Sequence, residues 1–294
     1  MKLLVTGASG FLGSRMADLL EEAGHDVVRL ARPQGRARAH VDEQTLARLD
    51  AGDPRARELV AGCDAVLHFA GVPNPTAANA DPARAVRENA GTTLNLLEGC
   101  AEHGAGLVYP STVRVAVDPL PDPYAISKRL GEETCRRHQA RSTVVRLTSI
   151  FGPGQDPDEG ATGAIAGFAS AALAGKPIVI GGDPSRGRDF VYVDDLAPVF
   201  ERIVEHGLWN DTITLARGEL TPLRTAAELV KAAAGSSSPI ETPGGPLPPG
   251  EDATYPSDPP PARLAFAPRP LEEGIALHVD WLRSRPAAQS RPQA

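Results

Sequence analysis

Val5–Gly13 reads VTGASGFLG, with glycines at Gly7, Gly10 and Gly13. Upstream, the apolar run Lys2–Gly7 has the character of a strand. Downstream, Phe11–Gly24 places apolar residues at helical spacing and stops at a glycine. A strand, a glycine turn and a helix in that order have a mechanical reading. The first glycine makes the sharp turn, the second lets backbone approach a pyrophosphate, and the third lets helix pack closely on strand. The helix start then turns unpaired N–H groups toward an anion, so Gly7, Ser9, Gly10, Phe11, Leu12 and Gly13 are candidate dinucleotide contacts. A glycine turn with no ligand is the competing reading, weakened because all three parts are present.

The next strand, HDVVRLAR, ends with Ala31 where an acid would bond the ribose 2′-hydroxyl of NAD, and Arg32 follows. Arginine there suits the 2′-phosphate, which favours NADP(H) and leaves NAD(H) possible. A solvated strand-end charge is the alternative for Arg32, and Arg36 and Arg38 keep that alternative open.

Strand-like runs then alternate with helical ones. DAVLHFAG is a strand, PARAVRENAGTTLNLLEGCAEHG a long helix and GLVYPST a strand; PDPYAISKRLGEE is a helix and STVVRLTSIFG a strand. Such alternation predicts an α/β fold, a Rossmann-type doubly wound parallel sheet covered on both faces. Beyond Phe151 the pattern loosens into a smaller C-terminal substrate-binding lobe, and the Pro- and Gly-rich stretch Gly235–Pro261 reads as a surface loop. The expected division is residues 1–150 for dinucleotide binding, 151–285 for the substrate lobe interleaved with the end of the core, and 286–294 as a disordered tail.

A chain of 294 residues, 41% hydrophobic, can bury a large core. A net charge of −7 supplies no broad basic field, which argues against nucleic acid as a partner. Cys63, Cys100 and Cys135 are widely spaced with no metal-ligand pattern, as expected of reduced thiols in a cytoplasmic protein. No export signal is read at the start. Ala161–Gly175 is too short and too glycine-rich to span a membrane.

PDPYAISKRLGEE, Pro121–Glu133, sets Tyr124 and Lys128 four residues apart on one helix. Alone, such a pair is most often a solvated helix face. Together with TGASGFLG, GDPRA, DAVLHFAG, ENAGTTLNLLE, YPSTVRV, RLTSIFGPG and RDFVYVDDLA, in that order from Lys2 to about Ala197, the chain resembles the extended short-chain dehydrogenase/reductase family. That family modifies nucleotide sugars as epimerases, dehydratases and ketoreductases.

The resemblance implies that Tyr124 is the acid/base and that Lys128 holds the nicotinamide ribose and lowers the phenol's pKa. Thr112 would bond the reacting oxygen, although a hydroxyl capping local backbone is a competing reading. Asp53 would contact the adenine end, and Phe69, Ala70 and Gly71 would wall the dinucleotide. Ser111, Ser149 and Arg188 would meet substrate, Arg188 at a diphosphate, and no metal is required. A homodimer through the helices at Pro82–His103 and Tyr124–Gln139 is also implied.

Three departures shape the expected function. Val113 and Arg114 stand where 4,6-dehydratases carry Asp-Glu, which argues against elimination of water. Ser149 replaces an Asn, and Pro248 replaces a second diphosphate-binding arginine. The segment from Thr112 to Tyr124 is short. The expectation is an NAD(P)-dependent oxidoreductase acting on a keto or hydroxyl carbon of a nucleoside-diphosphate sugar, 4-ketoreduction ahead of 4-epimerisation. A reductase of a non-sugar ketone and a non-catalytic dinucleotide-binding regulator are further alternatives.

Overall fold

A computed structural model describes residues 1–34, 42–155, 157, 163–251 and 253–285. Arg36, Arg38 and the tail 286–294 lie outside the described residues. Strands β1 (Lys2–Thr6), β2 (Asp26–Ala31), β3 (Leu46–Arg48), β4 (Ala65–His68), β5 (Gly106–Thr112) and β6 (Ser142–Leu147) join a much later strand in one sheet. That strand, Asp211–Leu215, is β11 once four short ones are counted: β7 (Ser149–Phe151), β8 (Ile178–Gly181), β9 (Gly187–Arg188) and β10 (Phe190–Tyr192). The sheet has seven strands in the order β11-β6-β5-β4-β1-β2-β3, every neighbouring pair parallel.

Parallel strands buried on both faces read as continuous apolar runs, and β1 shows how the faces divide. Leu3 and Val5 join one core with Met16 and Leu20 of α1 (Phe11–Glu22), whereas Leu4 joins another on the opposite face. That second core draws on Leu96, Leu97 and Cys100, from a helix labelled α4 (Thr92–His103) because two short ones, α2 (Pro75–Ala80) and α3 (Pro82–Val86), precede it. Cys135, from α5 (Pro123–Arg137), joins it as well. All three cysteines are free and buried, and burial pushes the Cys100 and Cys135 thiols up to about 12. Leu94, Ile126 and Leu130 are exposed on α4 and α5, the helices where the resemblance implies pairing.

A third core gathers the smaller lobe: Phe168 of α6 (Ala164–Leu173), Ile178 and Ile180 of β8, Phe190 of β10, and Ile275 and Val279 of a closing helix. Between these lobe segments the chain returns to the large sheet. Helix α7 (Ala197–Glu205) puts Val199, Phe200 and Ile203 into the α1-side core, and β11 pairs with β6. Two small strand pairs complete the lobe: β12 (Thr221–Pro222) with β9, and β13 (Ile240–Gly244) with β8. Helices α8 (Leu223–Ala233) and α9 (Leu271–Ser284) cover them. No helix among the described residues is long and apolar enough to cross a membrane.

Three segments differ from the sequence reading. STVVRLTSIFG is two strands: β7 leaves the large sheet at Thr148 and pairs with β10, with Ser149 N–H donating to the Asp189 carbonyl at 2.9 Å. The long helix from Pro82 is interrupted by a π-type turn at Arg87–Gly91, where Tyr109 Oη and Thr93 Oγ1 donate to the Asn89 carbonyl at 3.0 and 2.9 Å. Gly235–Pro261, read as loop throughout, contains β13.

Candidate active site

At the end of β1, Gly7 takes φ +68, and a Cβ there would lie 2.7 Å from backbone of Phe69 and Ala70. A Cβ on Gly13 would lie 2.3 Å from the Gly7 carbonyl. Turn, helix and the end of β4 therefore close on one another only because side chains are missing. Helix α1 has no side-chain cap and no acidic residue in its first turn, so the N–H groups around Phe11 and Leu12 remain available to an anion. This cradle fits a dinucleotide pyrophosphate.

The far wall is held from behind. Thr6 Oγ1 accepts from Ala70 N–H at 3.1 Å and bonds His68 Nδ1 at 2.8 Å, and His68 Nε2 meets Thr92 Oγ1 at 3.2 Å. Burial, with Lys128 nearby, lowers His68 to about 3, so this fully enclosed ring is neutral. Asn89 Oδ1 accepts from Val72 N–H at 2.8 Å while its Nδ2 donates to Ser127 Oγ at 2.8 Å, tying the Phe69–Gly71 wall to α5. Asn89 was not singled out from the sequence; only its place in ENAGTT pointed to it.

Asp122 and Pro123 start α5 as cap and first residue, Asp122 Oδ1 accepting from Ala125 N–H at 2.8 Å. One turn on, Lys128 is buried and its Nζ donates to the Pro110 carbonyl at 2.9 Å, 4.9 Å from the Tyr109 ring centroid. Burial lowers Lys128 to about 8. Tyr124 is partly buried against Val72, Ala78 and Ala85. Burial pushes its phenol up to about 12, and the charge that opposes this is Arg114, not Lys128 as expected from the sequence. Thr112 Oγ1 accepts from Arg114 N–H at 3.2 Å, which is the capping role, and among the described residues its own O–H donates to no partner.

The Tyr124 phenol keeps its proton to about 12, so of these two groups Lys128 titrates first as pH rises. A buried lysine with lowered pKa loses its ammonium as pH rises through about 8. The expected result is a kcat/KM for the dinucleotide that declines above about pH 8, and a decline that moves to higher pH in the residual activity of Lys128→Arg. A limb that stays in place in that variant assigns it to another group.

Not every expected residue joins this group. Successive strand residues face opposite sides, and Ser111 turns away from Thr112 to donate to Glu132 Oε1 at 2.7 Å. Ser111 therefore belongs to a buried network beneath α5, where Glu132 also holds Arg146 through contacts of 2.9 and 2.6 Å. Asp53 caps the turn Pro54–Val60, and bonds from Arg55 hold its carboxyl at about 2. Arg32 is about half exposed and 3.2 Å from Glu88, which also holds Arg84.

Ser149 and Arg188 do come together, lining a small pocket of about 20 Å³ with Val113 and Tyr255. Buried Asp189 fixes the floor by accepting N–H groups of Arg217, Gly218 and Glu219 at 3.0, 2.9 and 3.2 Å. Arg186, near Arg188 in sequence, donates to the carbonyls of Gly181 and Asp183.

A glycine cradle at the carboxyl edge of a parallel sheet, with Tyr and Lys on the helix beside it, defines an enzyme of the short-chain dehydrogenase/reductase class. The chain belongs to the NAD dependent epimerase/dehydratase family, whose model matches residues 3–216. It is 28% identical over 323 residues, 96% of each chain, to dTDP-4-dehydro-6-deoxy-D-allose reductase of Streptomyces bikiniensis. Among solved structures, UDP-glucose 4-epimerase of Thermotoga maritima with UDP-glucose superposes with TM-score 0.84 at 27% identity, covering 96% of this chain and 99% of that one. UDP-glucose 4-epimerase of Thermus thermophilus in complex with NAD gives TM-score 0.80 at 28% identity, covering 97% and 99%. The coarse expectation of an NAD(P)-dependent, nucleotide-sugar-modifying enzyme of Rossmann type is thus met.

Proposed function

We propose that this chain reduces a keto group, at the 4-position, of a nucleoside-diphosphate sugar with NADPH. The observation that carries the reductase reading is the end of β2, where Ala31 supplies no carboxylate for a ribose 2′-hydroxyl and Arg32 stands half exposed beside it. The S. bikiniensis relative, a reductase by name, supports the same reading along nearly the whole chain. A bound nicotinamide supplies the hydride. Tyr124 then donates its phenolic proton to the developing alkoxide, Thr112 orients that oxygen through its O–H, Lys128 holds the ribose, and Arg114 is the positive charge that acts on the phenol. Val113 and Arg114 in place of an acid/base pair argue against elimination of water.

A second reading, 4-epimerisation with retained NAD, is favoured by the two solved relatives, both named as epimerases. Small molecules released by denaturing fresh protein, followed by titration with NADPH and NADH, separate the two. The reductase reading expects empty protein, NADPH bound roughly tenfold tighter than NADH, and loss of that preference in Arg32→Ala, one charge-assisted phosphate contact being worth about that much. Stoichiometric NAD in the released fraction overturns it in favour of epimerisation.

A further inference from the structure

The short connection from β5 to α5 carries Arg114 into the space that Arg188 reaches from β9. Their guanidinium carbons lie 5.1 and 5.6 Å from the Tyr255 ring centroid, and their side chains are only 10% and 12% exposed. Two enclosed cations at such spacing repel unless an anion joins them. Here that anion comes from the chain. Arg114 Nη1 donates to Glu251 Oε1 at 3.0 Å, and Arg188 Nη2 stands 3.8 Å from Glu251 Oε2.

The partners of the two arginines differ in how firmly they are placed. Arg114 also holds Asp122, whose side chain is fully buried and caps α5, so that pair is part of the frame. Arg188 spends its other donors on the carbonyls of Gly187, Glu251 and Ala253. Among the described residues, Glu251 is the only carboxylate within 4.0 Å of Arg188. Glu251 itself is 35% exposed and sits next to Gly250 in a proline- and glycine-rich segment. Arg188 and Tyr255 also stand in the wall of the small pocket that reaches Ser149.

We infer that Arg114 is the second guanidinium of the substrate's diphosphate site, and that Glu251 holds this place until a diphosphate displaces it. The inference rests on the nucleotide-sugar reading above and accounts for Pro248, which leaves the usual second arginine position without a cation. A diphosphate offers each fork-shaped guanidinium its own pair of oxygens and more charge than one carboxylate.

Calorimetric titration of the full chain with UDP, dTDP and UMP tests it. In Glu251→Gln, UDP or dTDP is expected to bind roughly tenfold tighter, the scale of one charge-assisted contact, with a smaller change for UMP. Combined with Arg114→Lys, which keeps the Asp122 pair, the gain is expected to shrink, because the two sites are coupled through the same anion. Wild-type protein that binds UDP or dTDP, with Glu251→Gln unchanged or weaker, overturns the inference and leaves the nucleotide-sugar reading standing. No binding of either diphosphate to wild type or variant overturns both.

Discussion

Tyr124→Phe is expected to lower kcat by roughly 10²- to 10⁴-fold while dinucleotide affinity stays within about twofold, the usual effect of removing a positioned general acid. The variant is informative because it changes little else. The ring packs against Val72, Ala78 and Ala85, so phenylalanine leaves no cavity. The phenolic oxygen makes no hydrogen bond among the described residues, so its removal strands no buried partner. Paired measurements of single-turnover hydride transfer and of dinucleotide binding by fluorescence separate chemistry from folding. A kcat within tenfold of wild type would remove Tyr124 from the acid/base role.

The largest stability effect is expected at Glu132. Its side chain is fully buried and accepts from Ser111 and from two nitrogens of Arg146, with Arg129 and Arg136 at 3.7 and 3.9 Å. Glu132→Leu leaves the Arg146 guanidinium in a low-dielectric site without its counter-charge, a change that costs about 3–5 kcal/mol. For a chain of this size that corresponds to a fall of roughly 5–8 °C in Tm. Ser111→Ala, which removes one neutral donor, is expected to cost about 1 kcal/mol. Thermal denaturation of both variants decides the matter: a Glu132→Leu loss below about 1 kcal/mol would mean that water or a neighbouring acid takes over the pairing.

The parts of this molecule that were legible in the sequence are those whose physics is local. Gly7, Gly10 and Gly13 announced a turn that later proved too tight for side chains, and Asp122-Pro123 opened the helix that carries Tyr124 and Lys128. Alternation along β5 also had the information to separate Ser111 from Thr112, since adjacent strand residues cannot face one site. The remainder depends on contacts between distant segments. That Arg114 and Glu251 share one ion pair follows from chain folding back across a separation of 137 positions. That β7 abandons the large sheet is set by Asp189 and β10, and nothing within STVVRLTSIFG marks the break. The charge that lowers the Tyr124 phenol comes from Arg114, whereas the family resemblance pointed to Lys128.

The return of the chain to its first sheet has a consequence for synthesis. Residues 1–150 hold the glycine cradle, yet β6 has no outer neighbour until β11 is made, and the α1-side core is incomplete without Phe200, Ile203 and Leu215. A chain made only as far as residue 150 therefore has a bare strand edge at β6, and residues up to 215 are needed to cover it. The two lobes are threaded through one another in time as well as in space, so a truncation after residue 150 is expected to yield an aggregating fragment rather than a small binding domain.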